Sequence, residues 1–136
     1  MTAFTIAKMG VGTIWSFDPD LVEAHNIPCQ LYRETDTGQS KVHALHDICG
    51  DCIVPVVARF HPDLLMEHCS IIISAVDSMA SRAEIWHGIS GLPPERQPAY
   101  YVDVRLGGEI VALYTVAVGS GTGHRDYERT LHSDAD

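Results

Sequence analysis

"SFDPDLVEAHNIPCQ", residues 16–30, decides how this chain is read. It follows the apolar pair Ile14–Trp15 and carries two aspartates one residue apart, then Glu23, His25 and Asn26. The strand candidate "VGTIWSF" ends at Phe17, so Asp18 stands where that strand runs out. In open α/β sheets, ligands gather outside the carboxyl ends of the strands. A carboxylate there accepts two hydrogen bonds, which suits the vicinal hydroxyls of a ribose. The competing reading is a turn, because Asp-Pro is a common turn starter.

Outward from this stretch, strands and helices alternate. "TAFTIAKM" has apolar residues at helical spacing and stops at Gly10. "SKVHALHDIC" predicts a helix, with Val42, Leu45 and Ile48 on one side. "CIVPVVARF" reads as a strand whose Pro55 favours an edge or a bulge. "HPDLLMEHC" reads as a short helix opened by proline. "SIIISAV" has the composition of a strand buried on both faces. "SMASRAEIWHGIS" is a helix ending near Gly91, and "AYYVDVRL" and "EIVALYTVAV" are strands joined by a tight turn at Gly107–Gly108. This order predicts a Rossmann-like, three-layer α/β fold with a mostly parallel sheet and a C-terminal hairpin. Residues 1–118 form the expected domain, and 119–136 a flexible polar tail.

Composition narrows the function classes. Of 136 residues, 46% are hydrophobic and 20% charged, as in an ordinary globular protein. The formal net charge of -9 argues against nucleic acid or an anionic membrane as the main partner. No apolar run reaches the ~20 residues of a membrane span, and "MTAFTIAKMG" lacks the features of a signal peptide. A cytoplasmic protein is expected. Cys29, Cys49, Cys52 and Cys69 are too sparse for a disulfide scaffold, and the lone Cys49/Cys52 pair lacks a second ligand set for zinc. "GSGTG" at 119–123 resembles a phosphate loop but leads into no apolar helix. Arg105 is expected to pair with Asp103 or with an acidic partner, the structural pairing being the simpler reading.

"AKMGVGTIWSFDPDLVEAHNIPCQ" with "TGQSKVHAL", followed by "IIISAVDSMASR", resembles the adenylate-forming ThiF/MoeB family, relatives of ubiquitin-activating enzymes. The shared pattern is a strand, Asp-x-Asp-x-Val, an asparagine, Gly-x-x-Lys, and a later strand ending in an aspartate. The closing "YVDVRLGGEIVALYTV" is similar to the phage- and plasmid-associated branch. The resemblance implies ATP and Mg²⁺ as cofactors; the paired CxxC motifs of the family's zinc-containing members are lacking, so no zinc is expected. It implies that Asp18 holds the ribose and that Asn26 and Lys41 reach the phosphates. Lys41 and Asp77 would be catalytic, with Asp77 beside the magnesium and the α-phosphate. Each residue also has a bland role: Asp18 a turn, Asn26 a cap, Lys41 a solvated helix residue, Asp77 the N-cap of the helix after it.

The implied activity is ATP-dependent adenylation of the C-terminal carboxylate of a ubiquitin-like or sulfur-carrier protein, by a homodimer. The chain departs from the pattern in two places. No Gly-rich turn precedes "VGTIWSF", so a chain truncated at its front, lacking the first strand and the main phosphate cradle, is expected. Cys29 stands where the family carries an arginine. An impaired enzyme is therefore expected. So is direct pairing of "GTIWSF" with "SIIISAV", or a second chain filling the gap between them. Two alternatives stay open: an NAD(P)-dependent oxidoreductase, since Asp18 also suits an NAD ribose, and a non-catalytic dimerising module.

Overall fold

β-Branched and aromatic residues build the first strand, β1 (Ile14–Phe17), which pairs in parallel with β2 (Ile53–Val56). The computed structural model describes residues 2–65, 69–107 and 109–132. It divides into two compact units, residues 1–60 and 61–136.

In the first unit, α1 (Thr2–Lys8) precedes β1, and α2 (Lys41–Cys49) leads into β2. Pro55 lies opposite Ser16 in this two-stranded sheet, an edge setting where its missing N–H costs little. Val22, Val42, Ala44 and Ile53 form the core. The polar connection between β1 and α2 is held by backbone bonds: Val22 N donates to Gln39 O (2.8 Å) and Gly38 N to Val22 O (2.8 Å). The reversal needs the left-handed backbone of Gly38 (φ 84°), which side chains rarely adopt.

The second unit holds β3 (Ile71–Ser74), β4 (Tyr100–Gly107) and β5 (Ile110–Ala117), in that order across one sheet. β3 and β4 are parallel; β4 and β5 form the expected antiparallel hairpin, whose Gly108 lies outside the described residues. α3 (Met79–Ser90) lays Arg82, Ile85, Trp86 and Ile89, one helical stripe, onto the unit's core. At Gly88 a side chain is excluded, because a Cβ there would stand 2.6 Å from Pro62 Cγ.

The architecture is the expected mixed α/β fold with parallel pairing and a closing hairpin. Four details differ from the sequence reading. β1 belongs to the two-stranded sheet of the first unit and β3 to the three-stranded sheet of the second. β3 is buried on one face alone: Ile72 and Ser74 are buried, whereas Ile71 and Ile73 are 51% and 40% exposed. β-Branched composition could not separate one covered face from two. The proline-opened segment is a 3₁₀ turn at Pro62–Leu64, and residues 66–68 of the expected helix lie outside the described residues.

The fourth difference is the C-terminal tail. Residues 124–128 form α4 (His124–Glu128), and Tyr127 is buried at 2% exposure. One aromatic residue within a polar run was enough to anchor it. Tyr127 packs edge-on against Trp86 (5.0 Å) and Tyr101 (5.5 Å), and His124 against Trp86 (4.8 Å).

Candidate functional site

Asp18 leaves the carboxyl end of β1 as the sequence predicts, tied by its backbone N–H to Val56 O (3.3 Å). Its Oδ1 accepts the N–H of Asp20 at 2.8 Å, closing a turn across Pro19. The turn and the ligand reading therefore coexist: one carboxylate oxygen shapes the loop, and Oδ2 makes no hydrogen bond among the described residues. Asp20 in turn receives Lys41 Nζ on Oδ2 at 2.9 Å, while its carbonyl accepts the Lys41 N–H at 3.0 Å.

Lys41 opens α2, and its side chain is 17% exposed against 64% for Asp20. Partial burial pulls its pKa down, but the hydrogen bond to Asp20 and the charges of Asp18, Asp20 and Glu23 outweigh that and raise it. The ammonium therefore stays charged at neutral pH, on a flexible stem among three carboxylates.

Asn26 is buried at 6% exposure, and its Oδ1 accepts the Glu23 N–H at 2.9 Å. It closes the 3₁₀ turn Ala24–Asn26, the capping role named among the alternatives. Its backbone oxygen also accepts the N–H of Gln30 (2.9 Å) and of Cys29 (3.3 Å). Cys29 is exposed and free.

Tyr32 was not singled out from the sequence. Its hydroxyl donates to Lys41 O at 3.4 Å, and its pKa is pushed up to about 12, by burial first and then by the charges of Asp18 and Asp36. A lone aromatic in a polar connection is the sequence signal that could have found it. Asp36, also buried, accepts the Arg33 N–H at 2.8 Å and shapes the same loop.

Asp77 belongs to the second unit. It is exposed at the bend between β3 and α3. The N-cap of α3 is not Asp77 but Ser78, whose Oγ accepts the Ser81 N–H at 3.1 Å. That leaves the Asp77 carboxylate outside the helix-capping role considered for it.

The second unit also buries a charged cluster. Asp103 is fully enclosed and receives four donors: Arg82 Nη1 (2.7 Å) and Ser74 Oγ (3.1 Å) on Oδ1, Arg105 Nε (2.7 Å) and Tyr127 OH (3.0 Å) on Oδ2. Arg105 also grips Thr130 through O (2.9 Å) and Oγ1 (2.8 Å) and stacks over Tyr114 at 4.4 Å. Arg82 reaches the carbonyl of Val76 as well. Arg105 thus takes the structural pairing. With both oxygens of Asp103 doubly occupied, the cluster has no acceptor left for a ligand.

These geometries place Asp18, Asp20 and Lys41 in one loop system, and Asp77 after a parallel strand. The sequence pattern of the ThiF family matches residues 1–88. The chain belongs to the ThiF family. No curated protein matches it significantly. The ThiF match includes Asp18, Asn26, Lys41 and Asp77 and ends within α3, so β4, β5 and α4 lie beyond it.

The residues present can be tested against the family's cofactors. One oxygen of Asp18 and the exchangeable ammonium of Lys41 suit a nucleotide. Among the described residues, no group of three His, Cys, Asp or Glu side chains could hold a metal ion. Mg²⁺ does not need one, since it is commonly bound by one or two carboxylates together with substrate phosphates. Asp77 alone is compatible with that mode. No helix among the described residues is long and apolar enough to cross a membrane.

Proposed function

We propose that this ThiF-family chain is the nucleotide-holding part of an ATP-dependent adenylyltransferase that activates the terminal carboxylate of a ubiquitin-like or sulfur-carrier protein. The observation that carries this reading is the Asp18–Asp20–Lys41 arrangement at the carboxyl end of β1. Asp18 accepts ribose hydroxyls through Oδ2. Lys41 exchanges Asp20, whose carboxylate is 64% exposed, for phosphate. Asn26 is proposed as a positioning residue that sets the loop through Glu23.

Asp77, in the second unit, is proposed as a Mg²⁺ ligand on the strength of the family pattern that includes it. The ion would supply charge neutralisation at the α-phosphate when the carboxylate attacks. Lys41 keeps its proton and serves as a point charge; no proton transfer falls to it.

One free carboxylate oxygen and one lysine are a thin set of contacts. Charge-assisted hydrogen bonds contribute about 1.5–3 kcal/mol each, so these residues hold ATP in roughly the millimolar range. Equilibrium titration of the 136-residue chain with ATP and with NAD tests the reading. ATP should bind weakly, with Mg²⁺ improving it, and both Asp18→Ala and Lys41→Met should remove the binding. Tight NAD binding that survives Lys41→Met would favour a nicotinamide enzyme instead.

A further inference from the structure

Gly50, Asp51 and Cys52 carry the chain from the end of α2 into β2. The Gly50 carbonyl accepts the Ile53 N–H at 3.1 Å, so the chain turns back at once. Both sides of this turn are held. His46 Nδ1, on α2, donates to Ile53 O at 2.9 Å, and Cys52 O accepts the Ile14 N–H of β1 at 2.8 Å. Cys49 and Cys52 flank the turn, and each is half-buried with a free thiol. Cys52 Sγ rests 3.6 Å from Cys49 O, so one sulfur already lies against the other cysteine's backbone. Cys29 differs: it is exposed, and its sulfur meets only the carbonyls of His25 and Asn26.

We propose that Cys49 and Cys52 are a redox-active dithiol, which closes to an intramolecular disulfide by exchange with a small-molecule disulfide. One protein thiolate attacks a sulfur of the small disulfide and expels the other half as a thiolate. The second protein thiolate then attacks the protein-bound sulfur of the mixed disulfide and expels the remaining half. The two protein thiols lose two electrons and two protons, and the small disulfide becomes two small thiols. A disulfide closes without backbone movement only between cysteines held near each other. Here the helix end, the strand start and the turn between them hold both. The thiols also sense each other: burial pushes the Cys49 thiol up, the neighbouring Cys52 pushes it further, and Lys8 pulls the other way. A thiol of raised pKa leaves slowly, so the closed pair resists cleavage by a small thiol.

This inference stands on the α2–β2 turn alone and does not depend on nucleotide binding. The full chain is equilibrated in glutathione buffers of rising oxidised-to-reduced ratio, quenched, alkylated and weighed by mass spectrometry. In reducing buffer all four cysteines should take a label. As the ratio rises, two labels should be lost together with no glutathione attached, while Cys29 and Cys69 stay alkylated, and peptide mapping should link Cys49 to Cys52. At that ratio the remaining thiol of Cys49→Ser or Cys52→Ser has no near partner and should be oxidised roughly 10-fold less. In urea, where the turn is lost, closing the wild-type pair should need a more oxidising ratio. The open and closed forms should share one circular dichroism spectrum. Retention of all four labels across the series, a stable glutathione adduct on Cys49 or Cys52 of the wild type, linkage to Cys29 or Cys69, or closure as easy in urea as in water would overturn the proposal.

Discussion

Residues 1–60 and 61–132 each pair a cation with an aspartate, and the two pairs do opposite work. Asp103 is wholly enclosed, with four donors on its two oxygens. Asp20 has a side chain 64% exposed and meets one ammonium. A buried carboxylate must have its hydrogen bonds and charge met inside the protein, which leaves nothing for a ligand. A pair whose carboxylate is open to solvent, as Asp20 is, can exchange partners more readily than an enclosed one. Accessible, incompletely satisfied charge distinguishes the Asp18–Asp20 loop from the enclosed Asp103 cluster.

The largest effect should come from Asp103→Ala. It strands the buried Arg82 and the half-buried Arg105, and removing one partner of a buried pair costs about 3–5 kcal/mol. Urea denaturation measures this directly. A loss below about 1 kcal/mol would erase the contrast between the units.

Next comes Tyr127→Phe, which removes the hydroxyl bonded to Asp103 at 3.0 Å. Hydrogen bonds to charged groups are worth about 1.5–3 kcal/mol, and that loss is expected in the same denaturation assay. An unchanged midpoint would return residues 124–132 to the status of a loose tail.

Lys41→Met should cost less stability than Asp103→Ala while eliminating ATP binding. That split is the signature of a ligand residue; a large stability loss with binding retained would reverse its assignment.

The smallest effect is alkaline. Tyr32 has an ordinary pKa of 10.0 and is pushed up to about 12, so the folded state favours its neutral form. Its contribution to stability is full below about pH 10 and falls as the pH rises toward about 12. Lys41, also raised, loses its contribution in the same direction. Burial raises Tyr101 and Tyr127 as well, so Tyr32→Phe should remove one tyrosine's share of the absorbance change near pH 12 and leave the rest. If the variant's titration near pH 12 matches the wild type's, Tyr32 is not shielded by the Asp18 loop.

The elements were legible because their signals are local. Apolar periodicity marked α1 and α2, and Gly107–Gly108 marked the hairpin. Asp18 was legible from its place after an apolar strand. The rest depended on tertiary packing. Nothing in "SIIISAV" says that Ile71 and Ile73 face outward. Nothing in "HRDYERT" says that Tyr127 enters an aromatic cluster with Trp86 and Tyr101, 41 and 26 positions earlier in the chain. Asn26 shows the same limit: its residue type fits phosphate, but its Oδ1 is committed to Glu23.

The most direct test of the contrast is to follow backbone amide resonances while ATP and Mg²⁺ are titrated into the chain. Shifts should gather at residues 18–20, 40–41 and 77–78, saturate in the millimolar range, and leave 103–105 and 127 unmoved. Shifts centred on Arg82, Asp103 and Arg105, or none at all at saturating ATP, would contradict the account.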